Sequence, residues 1–169
     1  MPDVVPPGRV ITSQLITYRP PVVVAHGTLT SNSSPITSST EVTVITTSSA
    51  TLTAGRAYRF EFTGLIQHAT ASLVDLCYLR LRRGSNNASI RDIRSVVVAN
   101  RATASRNIGV TLSVTCTPAT TITDTVILTA SWDTGSTATF TVAATSSTPA
   151  LLTVWDVGPA SDMPGLGTF

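Results

Sequence analysis

The stretch NIGVTLSVTC, Asn107 to Cys116, alternates without a break. Ile108, Val110, Leu112, Val114 and Cys116 fall on one side, and Gly109, Thr111, Ser113 and Thr115 on the other. Side chains of a strand point to opposite faces with a period of two, whereas a helix places its apolar residues three to four apart. The segment therefore reads as a half-buried β-strand. The pattern recurs outward along the chain. AYRFEFTG sets Tyr58, Phe60 and Phe62 against Arg59, Glu61 and Thr63. The run from Leu73 sets Cys77, Leu79 and Leu81 against Tyr78, Arg80 and Arg82. Val126, Leu128, Ala130 and Trp132 align in DTVILTASW, as do Ala138, Phe140 and Val142 in TATFTVAA. Strands are expected over 22–30, 41–47, 56–67, 73–83, 93–99, 106–116, 124–132, 137–144 and 150–157.

Between these runs lie SNSSP, TAGR, RGSNN, SWDTGS and SSTP, built from residues with turn-specific backbone preferences. No segment of useful length shows a helical period. The expected fold is all-β: an antiparallel β-sandwich, jelly-roll-like, of about 8 to 10 strands. Three parts are expected: an extended, proline-bracketed N-terminal arm (1–21), the β-sandwich domain (22–158), and a Gly/Pro-rich C-terminal tail (159–169). Pro2, Pro6, Pro7, Pro20 and Pro21 keep the arm extended. Its Val10, Ile11, Leu15, Ile16 and Tyr18 are more apolar than a solvated tail needs, and this favours packing on a neighbour over a floppy end.

The 169 residues suit one domain and include 30 Thr and 19 Ser. Only 12% are charged, the 11 basic residues are all Arg, and the net charge is +2. So weak a charge argues against a nucleic-acid binder that relies on a basic face. The abundance of Val, Ile and Leu argues against disorder. No basic leader precedes an apolar run, and nothing approaches the ~18 apolar residues of a membrane span. The expectation is a cytosolically made, soluble chain with no membrane partner.

Chemistry is sparse. There is no nucleophile elbow, phosphate loop, zinc-protease motif or acidic calcium loop. His26 and His68 lie in or beside strands, and the nine acidic residues are dispersed. A glycosidase would need paired carboxylates beside a sugar groove, and aromatics to line one are only 5% of the chain. Cys77 and Cys116 sit in alternating strands without metal-ligand spacing, as small buried residues do. Whether they pair is open at this stage. The sequons at Asn32 and Asn87 are what a Ser/Thr-rich chain contains by chance. No catalytic residue, cofactor or metal is expected.

The one concentration of charge includes Arg80, Arg82, Arg83, Arg91 and Arg94, with Asp92 as its nearby counter-charge. Two readings stand: a solvated face with local ion pairs, or a subunit contact exploiting the planar, five-donor guanidinium. The candidate assembly interface is thus Val10, Ile11, Leu15, Ile16, Tyr18, Arg80, Arg82, Arg83, Arg91 and Arg94.

The runs AGRAYRFEFTGLIQ, LVDLCYLRLRRG and ATSSTPALLTVWDVGP together resemble a family of small β-sandwich structural proteins of tailed bacteriophages, especially those of actinobacteria. The likeness spans roughly residues 27 to 159 and is most specific at the closing Asp156-Val157-Gly158-Pro159. Trp155 stands where that family carries an acidic residue. The resemblance implies a non-enzymatic virion component, assembled in the bacterial host cytoplasm. The favoured role is a capsid (head) decoration protein, a homotrimer bound to the phage major capsid protein or another virion protein. The rival is a minor tail or fibre protein that binds a host glycan through loops such as Ser85–Ser89 and Asp133–Ser136. A carbohydrate-active enzyme is a distant third.

Overall fold

The computed structural model describes residues 21–68, 75–97, 106–133 and 139–169. Twelve strands follow one another: β1 (Val22–Leu29), β2 (Val42–Thr46), β3 (Ala50–Leu52), β4 (Arg56–His68), β5 (Asp75–Arg83), β6 (Ser89–Val97), β7 (Arg106–Thr117), β8 (Ile122–Asp124), β9 (Val126–Trp132), β10 (Phe140–Ala143), β11 (Ala150–Pro159) and β12 (Gly167–Thr168). One sheet runs β1-β11-β4-β7-β12, with β10 also on β4, and the other runs β2-β9-β5-β6. β3 and β8 form a small third sheet.

Setting aside the short β3, β8, β10 and β12 leaves eight strands. Ranked by position in the chain, they lie 1-8-3-6 in one sheet and 2-7-4-5 in the other. That interleaving is the jelly roll, two Greek keys folded into facing sheets. The antiparallel sandwich is as the alternation predicts. β10 and β11 share one flank of β4: β11 covers it from Arg56 to Thr63 and β10 from Leu65 to His68.

The core is where the alternation put it. Tyr58, Phe60 and Phe62 of β4 are fully buried and share one cluster with Leu79 and Leu81 of β5 and Leu128 of β9. Each such side chain contributes about 2–3 kcal/mol by leaving water. Tyr58 keeps its polar tip satisfied, its hydroxyl accepting from the Thr53 N–H at 2.8 Å. Gly27 sits where β1 passes β2. A Cβ there would collide with the Thr46 carbonyl and with Cγ2 of Ile45, so the crossing requires glycine.

Three features differ from the sequence reading. β6 begins at Ser89, four residues ahead of the predicted 93, because a register shift beside Arg82 interrupts the alternation. β3, β8 and β12 are too short to show a period. Beyond Pro159 the tail makes a single 3-10 turn at Ala160–Asp162, then returns to lay β12 parallel to β7. There Phe169 meets Phe60 edge-on at 5.7 Å, burying an aromatic ring that the solvent would otherwise hold. Residues 1–20 of the predicted arm, including Val10, Ile11, Leu15, Ile16 and Tyr18, lie outside the described residues.

Candidate assembly surfaces

The arginines come from β5 and β6, on the outer side and edge of one sheet. Strand alternation turns Arg80 and Arg82 outward while Leu79 and Leu81 turn into the core. Arg82 donates from Nε and Nη2 to Glu41 at 3.1 and 2.8 Å, a bidentate pair. Arg80 Nε lies 3.4 Å from the same carboxylate, and its Nη1 donates to Ser131 Oγ at 2.8 Å. Thr129 Oγ1 also donates to Glu41, at 2.7 Å. This polar net covers β9, so Thr129 and Ser131 are buried although they face away from the core. Arg82 leads in holding the Glu41 carboxyl below its ordinary value, against the opposing effect of burial, with Thr129 and Arg80 adding to it.

Arg83 reaches Asp124 at 3.1 Å. Burial pushes that carboxyl up. The Ser85 hydroxyl at 2.6 Å, Arg83, and the N–H groups of Thr125 and Ser85 outweigh it, and the net displacement is downward. Glu41 and Asp124, each 41 residues from its arginine, are counter-ions that reading the local sequence missed. Arg91 is exposed and reaches across the sandwich edge, with Nη1 3.1 Å from where a Cβ on Gly167 would stand. Arg94 lies in β6, and its side chain is outside what the structure describes.

A second, unforeseen constellation joins the AGRAYRF stretch to the closing strand. Arg56, from AGRAYRF, donates from Nε and Nη2 to the two oxygens of Asp156 at 2.6 and 2.7 Å. Asp156 Oδ1 also accepts from the Gly158 N–H at 3.1 Å. A bulge between Asp156 and Gly158 makes this possible, and Gly158 carries it at φ +120°, a conformation that disfavours side chains. The Ala160 N–H then donates to the Gly55 carbonyl at 2.8 Å. The turn before β4 and the end of β11 are thus clasped by one bidentate pair and one backbone bond.

The outer face of the larger sheet is hydroxyl-rich. Its cross-strand rows read Thr28–Leu151–Thr63–Thr111, His26–Thr153–Glu61–Ser113 and Val23–Trp155–Arg59–Thr115. Arg59 stacks over Trp155 at 5.4 Å and lies 3.5 Å from Glu61. The loop named for glycan contact is pinned instead: Ser85 is held by Asp124, and the Ala88 N–H donates to Asn86 Oδ1 at 3.0 Å. Residues 134–138 lie outside the described residues. Trp132 packs against the core and Trp155 lies on the sheet face. A cleft of about 290 Å³ beside Asn32, Gln67 and Asn107 falls just under the ~300 Å³ floor of ligand pockets, and Asn32 Oδ1 there already accepts the Ala144 N–H.

His68 is buried edge-on against Phe140 at the far end of β4, while His26 is exposed on β1. Among the described residues no group of three His, Cys, Asp or Glu could hold a metal ion, and no helix is long and apolar enough to cross a membrane. Cys77 and Cys116 are free, buried, and in opposite sheets. Burial pushes their thiols up to about 12 and about 11.

No protein-family model matches the chain, and no curated protein does. Among solved structures it is similar to dimeric latent PorU from Porphyromonas gingivalis, at 9% identity and a TM-score of 0.44, over 81% of this chain and 13% of that one. It is also similar to infectious bursal disease virus Gx strain, at 13% identity and 0.39, over 84% of this chain and 37% of that one. The VP2 subviral particle of that virus follows at 11% identity and 0.38, over 82% and 38%. The chain thus spans well under half the length of each. All three scores lie below 0.5, so the functional reading rests on this chain's own residues.

Proposed function

We propose that the chain is a non-enzymatic structural component of a tailed-phage virion, and within that role a decoration protein of the head. The observation that carries the reading is the clasp. Two of the stretches that carry the phage resemblance, AGRAYRF and the closing VWDVGP, meet through Arg56 and Asp156 across 100 residues of chain. One structural element thus draws on both stretches, which supports reading them as parts of a single sandwich. A rigid, weakly charged domain suits dense packing in a shell, where like charges would repel. β1 begins at the clasped end, with Val22 level with Asp156, and in this reading the segment before it serves as the attachment device. Its partners in this reading are sister subunits, in a trimer, and the major capsid protein.

Immunogold labelling of intact virions with antibody against this chain tests the reading. Gold over the head is expected. Gold confined to the tail or its tip would replace decoration with host binding, and absence of the chain from disrupted virions would end the virion reading altogether.

A further inference from the structure

Each sheet of a sandwich ends in two edge strands, and an unpaired edge is a template for another chain. Three of the four edges here are blunted. β1 carries a register shift between Val23 and Ala25, and its His26 carbonyl already accepts the Ser48 N–H. β2 is five residues long and shifted between Thr43 and Ile45. β6 carries Arg91, Asp92 and Arg94, with a shift where it meets β5. β7 has none of these defences. Its register with β4 runs unbroken from Cys116 to Arg106, and no charged residue or proline lies between Asn107 and Thr117.

Among the described residues, only β12 pairs with the outer side of β7, and only at Cys116 and Thr117. That contact shows which groups point outward. The Phe169 N–H donates to the Thr117 carbonyl at 3.1 Å, so by alternation Asn107, Gly109, Thr111, Ser113 and Thr115 also aim their N–H and C=O away from β4. Extended chain already docks at one end of this edge, and the rest has the same geometry.

We infer that the open edge of β7, residues 107–115, is a β-augmentation site, and that its occupant is the segment Val10–Tyr18 from a second copy of this chain. The two stretches are equal in length, about 30 Å when extended. Val10–Tyr18 contains no proline, glycine or charge, and Val10, Ile11, Thr12, Ile16, Thr17 and Tyr18 favour strand. Main-chain bonds would supply affinity and alternate side chains register.

Topology favours exchange between copies over closure within one. Val22 lies level with Asp156, at the clasped end of the sheet, whereas the open part of β7 runs from Thr115 toward the other end. An arm serving its own β7 would have to pass β11, β4 and β7 itself, about 19 Å, and reverse direction at Pro20–Pro21, whose locked φ keeps the chain extended. A strand passed from one copy to the next is a heterologous contact, which closes into a ring when the rotation allows. The inference rests on topology and is independent of the virion reading.

The test uses the full-length chain. Thr111→Pro with Ser113→Pro removes two outward donors and leaves the β4 ladder intact, because proline is tolerated where the N–H faces out. By light scattering, the parent should have a mass that is a multiple of 17.6 kDa, and the proline pair should fall to a single copy with its melting transition retained. Should the proline pair not fold, Thr111→Lys with Ser113→Lys decides by the same readout. Mixing differently tagged copies, one carrying Gln14→Cys and the other Thr111→Cys, the two central positions of the paired stretches, should give a disulfide between tags. A monomeric parent would overturn the inference. So would an oligomer that survives the folded edge variant, or a cross-link that forms only within one copy carrying both cysteines.

Discussion

At the scale of single residues, stability here depends on a few carboxylates placed among guanidinium groups. Asp156 holds Arg56 and the bulge at Gly158 together. Asp156→Ala should cost about 1–2 kcal/mol by urea unfolding, kept modest because Arg56 is more than a third exposed and its pair is partly screened. Glu41 and Asp124 set the acid limit. Their folded values lie below the ordinary 4.5 and 3.8, so their stabilisation is complete above about pH 5 and is lost as pH falls through the folded values. The urea midpoint should therefore be level between pH 7 and pH 5 and fall below about pH 4. Glu41→Gln should lower the plateau by about 1–2 kcal/mol and flatten that fall, since it strands a largely buried Arg82 at every pH. Cys77 and Cys116 should resist a disulfide exchange reagent in the native protein and react once it is unfolded, because burial keeps both thiols protonated and out of reach. Rapid labelling of the folded chain would contradict their placement.

At the scale of elements, the strands with long alternation were legible from sequence and the contacts between distant strands were not. β4 and β7 declare themselves because every second residue is apolar from Tyr58 to Phe62 and from Ile108 to Cys116, and this also fixes which side of each faces the core. β3, β8 and β12 hold two or three residues each, too few to express a period. Arg80, Arg82 and Arg83 were visible as a charged run. That they cover β9 through Glu41, and grip a turn through Asp124, depends on strand order, which no local pattern encodes. The tail was read as merely leaving the sandwich, since Gly and Pro end a strand without saying where the chain goes next. Phe169 is the overlooked signal, a lone aromatic at the end of a polar segment. Removing residues 167–169 should cost about 2 kcal/mol, by exposing Phe60 and stripping β7 of its two-residue cover, and calorimetry should record a lower transition.

At the scale of the whole molecule, the sandwich and the arm are expected to separate in function. A chain without residues 1–21 should still fold and melt cooperatively, because β1 starts at Val22 and the described core cluster is assembled from residues after it. The same chain should fail to attach to capsids in a reconstitution assay. Attachment by the truncated chain would transfer the binding role to the sheet faces. The strand order has one more effect. β11 lies between β1 and β4, so the middle of the larger sheet is filled by a strand synthesised long after both of its neighbours. Until it emerges from the ribosome, β1 has no partner and one flank of β4 stays open. Pairing between such distant segments is slow and leaves sticky edges exposed meanwhile. The nascent chain must therefore hold β1 and β4 in waiting, and the larger sheet closes only once β11 has been made.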